Sequence, residues 1–163
     1  MEKQLLPFVS ILVPAYNEAA YLTKTLHALI AQDYPSFEII VIDNASTDAT
    51  TASVEAFVKS HPQLQVPIRL LYEPIKGTNH AREAGRRAAT GSIIAQVDAD
   101  CVPGPGWLKK GLRILLRKKN TVAVTGPYDY YDARFWPRYC SLAAQKISYP
   151  AVTLFTQALR KSA

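Results

Sequence analysis

Two aspartates, Asp98 and Asp100, stand one residue apart where the apolar run "SIIAQV" ends and the turn "CVPGPGW" begins. Like charges placed this closely repel unless a cation lies between them. Magnesium and related ions take one or two carboxylates together with substrate phosphates and water. The pair therefore points to Mg²⁺ or Mn²⁺ shared with a phosphorylated ligand, against the plainer reading of a solvated turn whose Asp caps the next helix.

Other polar clusters follow apolar runs in the same way. "VPAYNEAAYL" sets Pro14, Ala15 and Tyr16 at a strand end and Glu18 at an expected helix start, where an acid also suits the helix dipole. "VIDNASTDAT" supplies Asp43 and Asn44, whose side chains can hydrogen-bond a base edge or ribose, and then Ser46, Thr47 and Asp48 as caps for a helix. "EPIKGTNHAREAGRR" brings Lys76 and Gly77 to a helix start near Thr78. Arg82 and Arg86 follow on one face, suited to phosphate, and Glu83 and Arg87 are spaced to pair across a turn.

The elements that must position these residues are short. "FVSILVPA" (8–15), "FEIIVID" (37–43), "IRLLYE" (68–73), "SIIAQVD" (92–98) and "VAVTGP" (122–127) are apolar runs without alternation, the signature of parallel strands covered on both faces. Between them Leu22, Leu26, Leu29 and Ile30 recur at helical spacing. Val54, Phe57 and Val58 form a shorter stripe, and Ala81, Ala84, Gly85 and Ala88 make a face of small residues able to approach a sheet closely. Strand and helix alternate, which predicts an α/β fold: a Rossmann-like, mostly parallel sheet with helices on both faces. Ligands in such sheets bind beyond the carboxyl ends of the strands, where every cluster named above falls.

The 163 residues are 48% hydrophobic and 20% charged, which suits a globular domain, and the net charge of +6 suits an anionic partner. The basic residues are dispersed over several elements, so nucleic acid is not expected. No run approaches a membrane span and the N-terminus lacks a signal-peptide block, so a cytoplasmic setting is expected. Cys101 and Cys140 fit free thiols, and His27, His61 and His80 fit surface or packing positions. The helix "GWLKKGLRILLRKKN" carries Leu108, Leu112, Leu115 and Leu116 on one face among lysines and arginines. It suits a solvated core helix and leaves open peripheral association with the cytoplasmic face of a membrane.

The segments "VSILVPAYNEAAYL", "IIVIDNASTDAT" and "GTNHAREAGRRAATGSIIAQVDADCVPGPGWL" resemble, in order and spacing, the donor-binding part of family 2 glycosyltransferases with the GT-A fold, over residues 8 to about 127. The resemblance implies a hexosyltransferase-like enzyme of cell-envelope polysaccharide synthesis using a nucleotide-sugar donor, commonly a UDP-sugar. Its acceptor would be a saccharide, lipid-linked or protein group. It implies that Pro14, Ala15, Tyr16 and Glu18 line the nucleoside pocket, that Asp43 and Asn44 meet base or ribose, that Lys76, Gly77 and Arg82 belong to the donor site with Arg82 near the diphosphate, and that Asp98 and Asp100 hold the metal. Many members carry a second Asp where Asn44 stands, which leaves the base open.

The family's acceptor-side carboxylate base has no clear counterpart. Asp129 and Asp132 are the weak candidates, and residues 128–163 read as a partial acceptor-side segment, truncated before that region is complete, beside a core at 1–127. A catalytically silent nucleotide-sugar-binding module is the alternative. A sugar-phosphate nucleotidyltransferase is disfavoured because "PAYNEA" replaces its glycine-rich basic loop, and a dinucleotide oxidoreductase because no GxGxxG follows the first strand.

Overall fold

The computed structural model describes residues 6–117 and 120–126. Four strands, β1 (Val9–Ala15), β2 (Phe37–Asp43), β3 (Ile68–Tyr72) and β4 (Ile93–Gln96), alternate with four helices, α1 (Leu22–Ile30), α2 (Thr50–Ser60), α3 (Thr78–Ala88) and α4 (Trp107–Arg117). The strands form one sheet in the order β3-β2-β1-β4, and every neighbouring pair is parallel. The compact unit that carries this sheet ends at Ile114, and a second begins at Leu115.

Side-chain parity explains the unbroken apolar runs. Val9, Ile11, Val13, Ile39 and Val41 point to one face, where Leu22, Leu26 and Leu29 of α1, Val54 and Phe57 of α2 and Leu108 and Leu112 of α4 complete the main core. Leu12, Ile40 and Ile42 point to the other face, against Ala81 of α3. A strand clothed on both sides needs apolar residues at every position. The small-residue face of α3 works as its composition predicts: a Cβ at Gly85 would lie 2.7 Å from Ile42 Cδ1, so helix and sheet meet at a distance that only glycine permits without repacking.

A polar cluster interrupts this second face near the amino ends of the strands. Glu38, 3% exposed, accepts hydrogen bonds from the Ser10 hydroxyl (2.7 Å) and from the hydroxyl and N–H of Thr90 (2.7 and 3.0 Å), and pairs with Arg69 at 3.2 Å. Gly91 N–H donates to the Ser10 hydroxyl at 2.8 Å. The link from α3 to β4 is thereby pinned beneath β1 and β2. Burial pushes the Glu38 carboxyl up, but hydrogen bonds from Ser10, Thr90 and Arg69 outweigh it and hold the group at about 2.

Two local expectations change. Residues 121–126 carry no strand, and Val122 is 90% exposed; its apolar run has no neighbouring ladder among the described residues, and apolar composition alone makes no strand. Glu18 stands ahead of α1 rather than at its start, its carbonyl accepting the N–H groups of Tyr21 and Leu22. Cys101 is a free thiol, and His27 and His61 pack on Phe57, with ring centroids 4.9 and 4.3 Å from it. Cys140 lies outside the described residues.

Candidate donor-binding site

The carboxyl ends of β1, β2 and β4 open on a cleft of about 340 Å³ lined by Pro14, Ala15, Tyr16, Glu18, Asn44, Thr78, Ala81, Asp98, Ala99 and Asp100. These residues come from three separate strand ends and the start of α3, so the parallel topology alone gathers them. Alternation continues past β4. Val97 and Ala99 are buried, while Asp98 and Asp100 are exposed and share the cleft. Their turn is fixed from behind by Thr25 of α1, whose buried hydroxyl donates to the Ala99 carbonyl at 2.6 Å. Downstream, Gln32 anchors the Pro-Gly turn: its amide nitrogen donates to Gly104 O at 2.9 Å and its oxygen accepts the N–H of Leu108 at 3.0 Å.

Asp98 and Asp100 place negative charge at this end of the cleft. Burial, then Asp100, Asp48 and Asp98, push the Glu18 carboxyl above its usual range. Burial and the same two aspartates push the Cys101 thiol up to about 11. Among the described residues no group of three or more His, Cys, Asp or Glu side chains is arranged to hold a metal. Asp98 and Asp100 offer oxygen donors alone, the kind a hard cation takes, and phosphate and water would have to supply the rest of its shell. Arg82 is the positive counterpart. Its Nη2 lies 3.7 Å from Asp98 Oδ1, and with the Gln96 amide oxygen turned toward the guanidinium, Nε and Nη2 donate to it at 2.7 and 3.1 Å. Gln96 was not singled out from the sequence, where an exposed amide at a strand end has no distinguishing mark.

The opposite wall is built from two loops hydrogen-bonded to each other. Asn17, at φ 56°, accepts the N–H of Thr47 at 2.8 Å, and its own N–H donates to the Ser46 hydroxyl at 3.0 Å. Glu18 N–H donates to the Thr50 hydroxyl at 2.9 Å, and Ala19 N–H to Asp48 at 3.2 Å. Asp48 also accepts the N–H of Thr50, the first residue of α2, at 2.9 Å, while the N-cap position itself is taken by Ala49 with no side-chain cap bond. Asp43, 3% exposed, is held inside this wall: its carboxylate accepts the Ser46 N–H at 2.9 Å and the Thr51 hydroxyl.

Asn44 is turned toward the chain rather than toward solvent. Its amide donates to the carbonyls of Glu73 and Ile75 at 3.1 and 2.7 Å and accepts the N–H of Gly77 at 2.7 Å. Gly77 has φ 139°, a region closed to other residues without strain, and immediately precedes α3. Lys76 donates to the Tyr16 hydroxyl at 2.9 Å and lies 4.7 Å from the centre of its ring. Arg86 pairs with Glu83, as does Arg87, so of the arginines on α3 it is Arg82 that faces Asp98. Asp129 and Asp132 lie outside the described residues.

Residues 10–161 match the family described as Glycosyl transferase family 2. The chain belongs to that family. It is 37% identical over 123 residues to the glycosyltransferase AglE of Haloferax volcanii, covering 74% of this chain and 37% of that protein. Among solved structures it is similar to the mannosyltransferase PcManGT from Pyrobaculum calidifontis in complex with GDP-Man and Mn²⁺, with a TM-score of 0.64, 35% identity and coverage of 69% of this chain and 33% of that one. It is also similar to S. aureus TarS in complex with UDP, with a TM-score of 0.58, 28% identity and coverage of 66% and 32%. The fold is therefore GT-A, as the sheet order and the placement of the cleft lead one to expect. This family 2 chain spans little more than a third of the length of AglE and about a third of the two structures. No helix among its described residues is long and apolar enough to cross a membrane.

Proposed function

We propose that residues 1–127 form the donor-binding core of a family 2 glycosyltransferase, taking a nucleoside-diphosphate sugar with a divalent cation and passing the sugar to an acceptor saccharide, lipid-linked group or protein. The observation that carries this reading is that Asp98 and Asp100 leave β4 on one side and share a single cleft with Pro14, Ala15 and Tyr16. A divalent cation shared with an anion that has an apolar, stackable end matches both halves of such a cleft. UDP and GDP-Man are the nucleotides in the similar structures, so uridine and guanosine donors are both in scope.

In this reading Tyr16 and the backbone of Pro14 and Ala15 take the nucleoside, and Lys76 above the Tyr16 ring closes that end. Asp98 and Asp100 hold Mg²⁺ or Mn²⁺. The cation, when bound, supplies Lewis-acid stabilisation of the negative charge that grows on the departing diphosphate. Arg82, oriented by its two bonds to Gln96 and 3.7 Å from Asp98, is placed to contact the same phosphates. Lys110 and Arg113 of α4 are exposed beside the apolar Ile114, which supports an acceptor presented on an anionic surface such as the cytoplasmic face of a membrane.

Calorimetric titration with UDP-, GDP- and dTDP-sugars, with and without Mn²⁺, tests the reading. Binding of at least one donor is expected only with metal, and Asp100→Ala is expected to remove the metal dependence together with most of the affinity. Donor binding indifferent to both metal and Asp100→Ala would overturn the bridge.

A further inference from the structure

The structure assigns Asn44 the role of a positioning residue: its side chain sets the loop 73–77 and the start of α3 against the cleft, and it governs nucleotide affinity through that loop rather than by reading the base. This deepens the donor-site reading above and rests on it. Three observations carry the inference. Asn44 is 5% exposed, and its two amide N–H groups and its oxygen all meet backbone groups of one five-residue segment. The oxygen takes the N–H of Gly77, the residue immediately before α3, which stands at φ 139°. That segment then delivers two elements of the site: Lys76, bonded to Tyr16, and α3, whose Thr78 and Ala81 line the cleft and whose Arg82 reaches Asp98.

The choice of amide follows from this geometry. An aspartate at position 44 has no N–H to give, so carboxylate oxygens would face the carbonyls of Glu73 and Ile75, acceptor against acceptor. Buried polar groups left in that state favour a conformation in which water reaches them, which here means release of the loop. A residue with donor and acceptor on one planar head, held at the end of β2, fits this task, and both amide N–H groups of Asn44 are given to the loop.

The Lys76–Gly77 peptide bond makes the loop readable by trypsin, because Lys76 is exposed and the N–H of Gly77 is the group Asn44 holds. Wild-type, Asn44→Asp and Asn44→Ser proteins would be compared, the serine variant keeping one hydroxyl if the charged variant fails to fold. Two quantities are read: the rate of cleavage at Lys76–Gly77 relative to Lys59–Ser60 inside α2, and the dissociation constants of UDP, GDP and dTDP with Mn²⁺. Cleavage is expected to accelerate by about tenfold or more in Asn44→Asp, the scale set by losing buried hydrogen bonds, and all three nucleotides are expected to weaken by one common factor. A changed ratio among the nucleotides with unchanged cleavage would show that Asn44 reads the base and would overturn the inference, as would no change in either quantity. If the wild-type protein binds none of the three, the donor reading fails and takes the nucleotide half of the inference with it; the cleavage rate still reports the clamp, so the two failures are told apart.

Discussion

Glu38 offers the sharpest quantitative check on how this sheet is held. Its carboxyl is almost wholly buried, receives bonds from Ser10, Thr90 and Arg69, and titrates at about 2 where an ordinary glutamate titrates at 4.5. A folded-state value below the unfolded one means that the unfolded chain binds the proton more readily, so the contribution is complete above pH 4.5 and is lost as pH falls toward 2. The gap of about 2.5 units, at 1.36 kcal/mol each, corresponds to about 3 kcal/mol. Urea denaturation of the wild type and of Glu38→Gln, run from pH 7 to pH 2, reads this directly. The exposed Glu83 carboxyl, held low by Arg86 and Arg87, and the raised Glu18 carboxyl titrate in both proteins and cancel in the difference. At pH 7 the wild type is expected to be the more stable. Its advantage should shrink by about 3 kcal/mol between pH 5 and pH 2, nearly all of it below pH 4.5. Two parallel stability curves across that window would refute the reasoning, since they would mean that the hydrogen bonds to Glu38 do not discriminate between its protonation states.

Three further substitutions probe the scaffold. Thr25→Val keeps the shape of a fully buried side chain but strands the Ala99 carbonyl; a loss of about 1–3 kcal/mol in urea denaturation is expected, with weaker Mn²⁺ binding because the aspartate turn loses its support. Glycines divide by what surrounds them: at Gly91 a Cβ would stand 2.5 Å from the Ser10 backbone nitrogen, which cannot step aside, so Gly91→Ala should cost about 3 kcal/mol or more. Within α4 nothing lies within 4 Å of a Cβ at Gly111, and Gly111→Ala should raise stability by about 0.5–1 kcal/mol in the same assay.

The sequence made the sheet legible where a residue's environment is decided by its immediate neighbours. The stretch "IIVI" inside "FEIIVID" can be uniformly apolar only if both faces are covered, and β2 is buried at all of its positions. The aspartate pair was legible for the same reason, because Val97 and Ala99 alternate with it and fix which way it points. Long-range pairings were not. Nothing in "FEIIVID" says that Glu38 meets Thr90, fifty-two residues on, and nothing at Gln96 says that it faces Arg82. Asn44 shows a subtler limit: an amide beyond a strand serves a nucleobase or a backbone equally well on paper, and the position of the 73–77 loop decides between them. The apolar run at 122–126 carries strand-forming residues without a strand, since a ladder is a property of two segments and not of one.

The loops after β1 and β2 are tied by Asn17 to Thr47 and Ser46, by Glu18 to Thr50 and by Ala19 to Asp48. Neither can be redesigned by itself. An insertion in one would strip partners from the other, so any attempt to graft a new nucleotide preference onto this scaffold must transplant 16–19 and 46–50 together, as a single cassette.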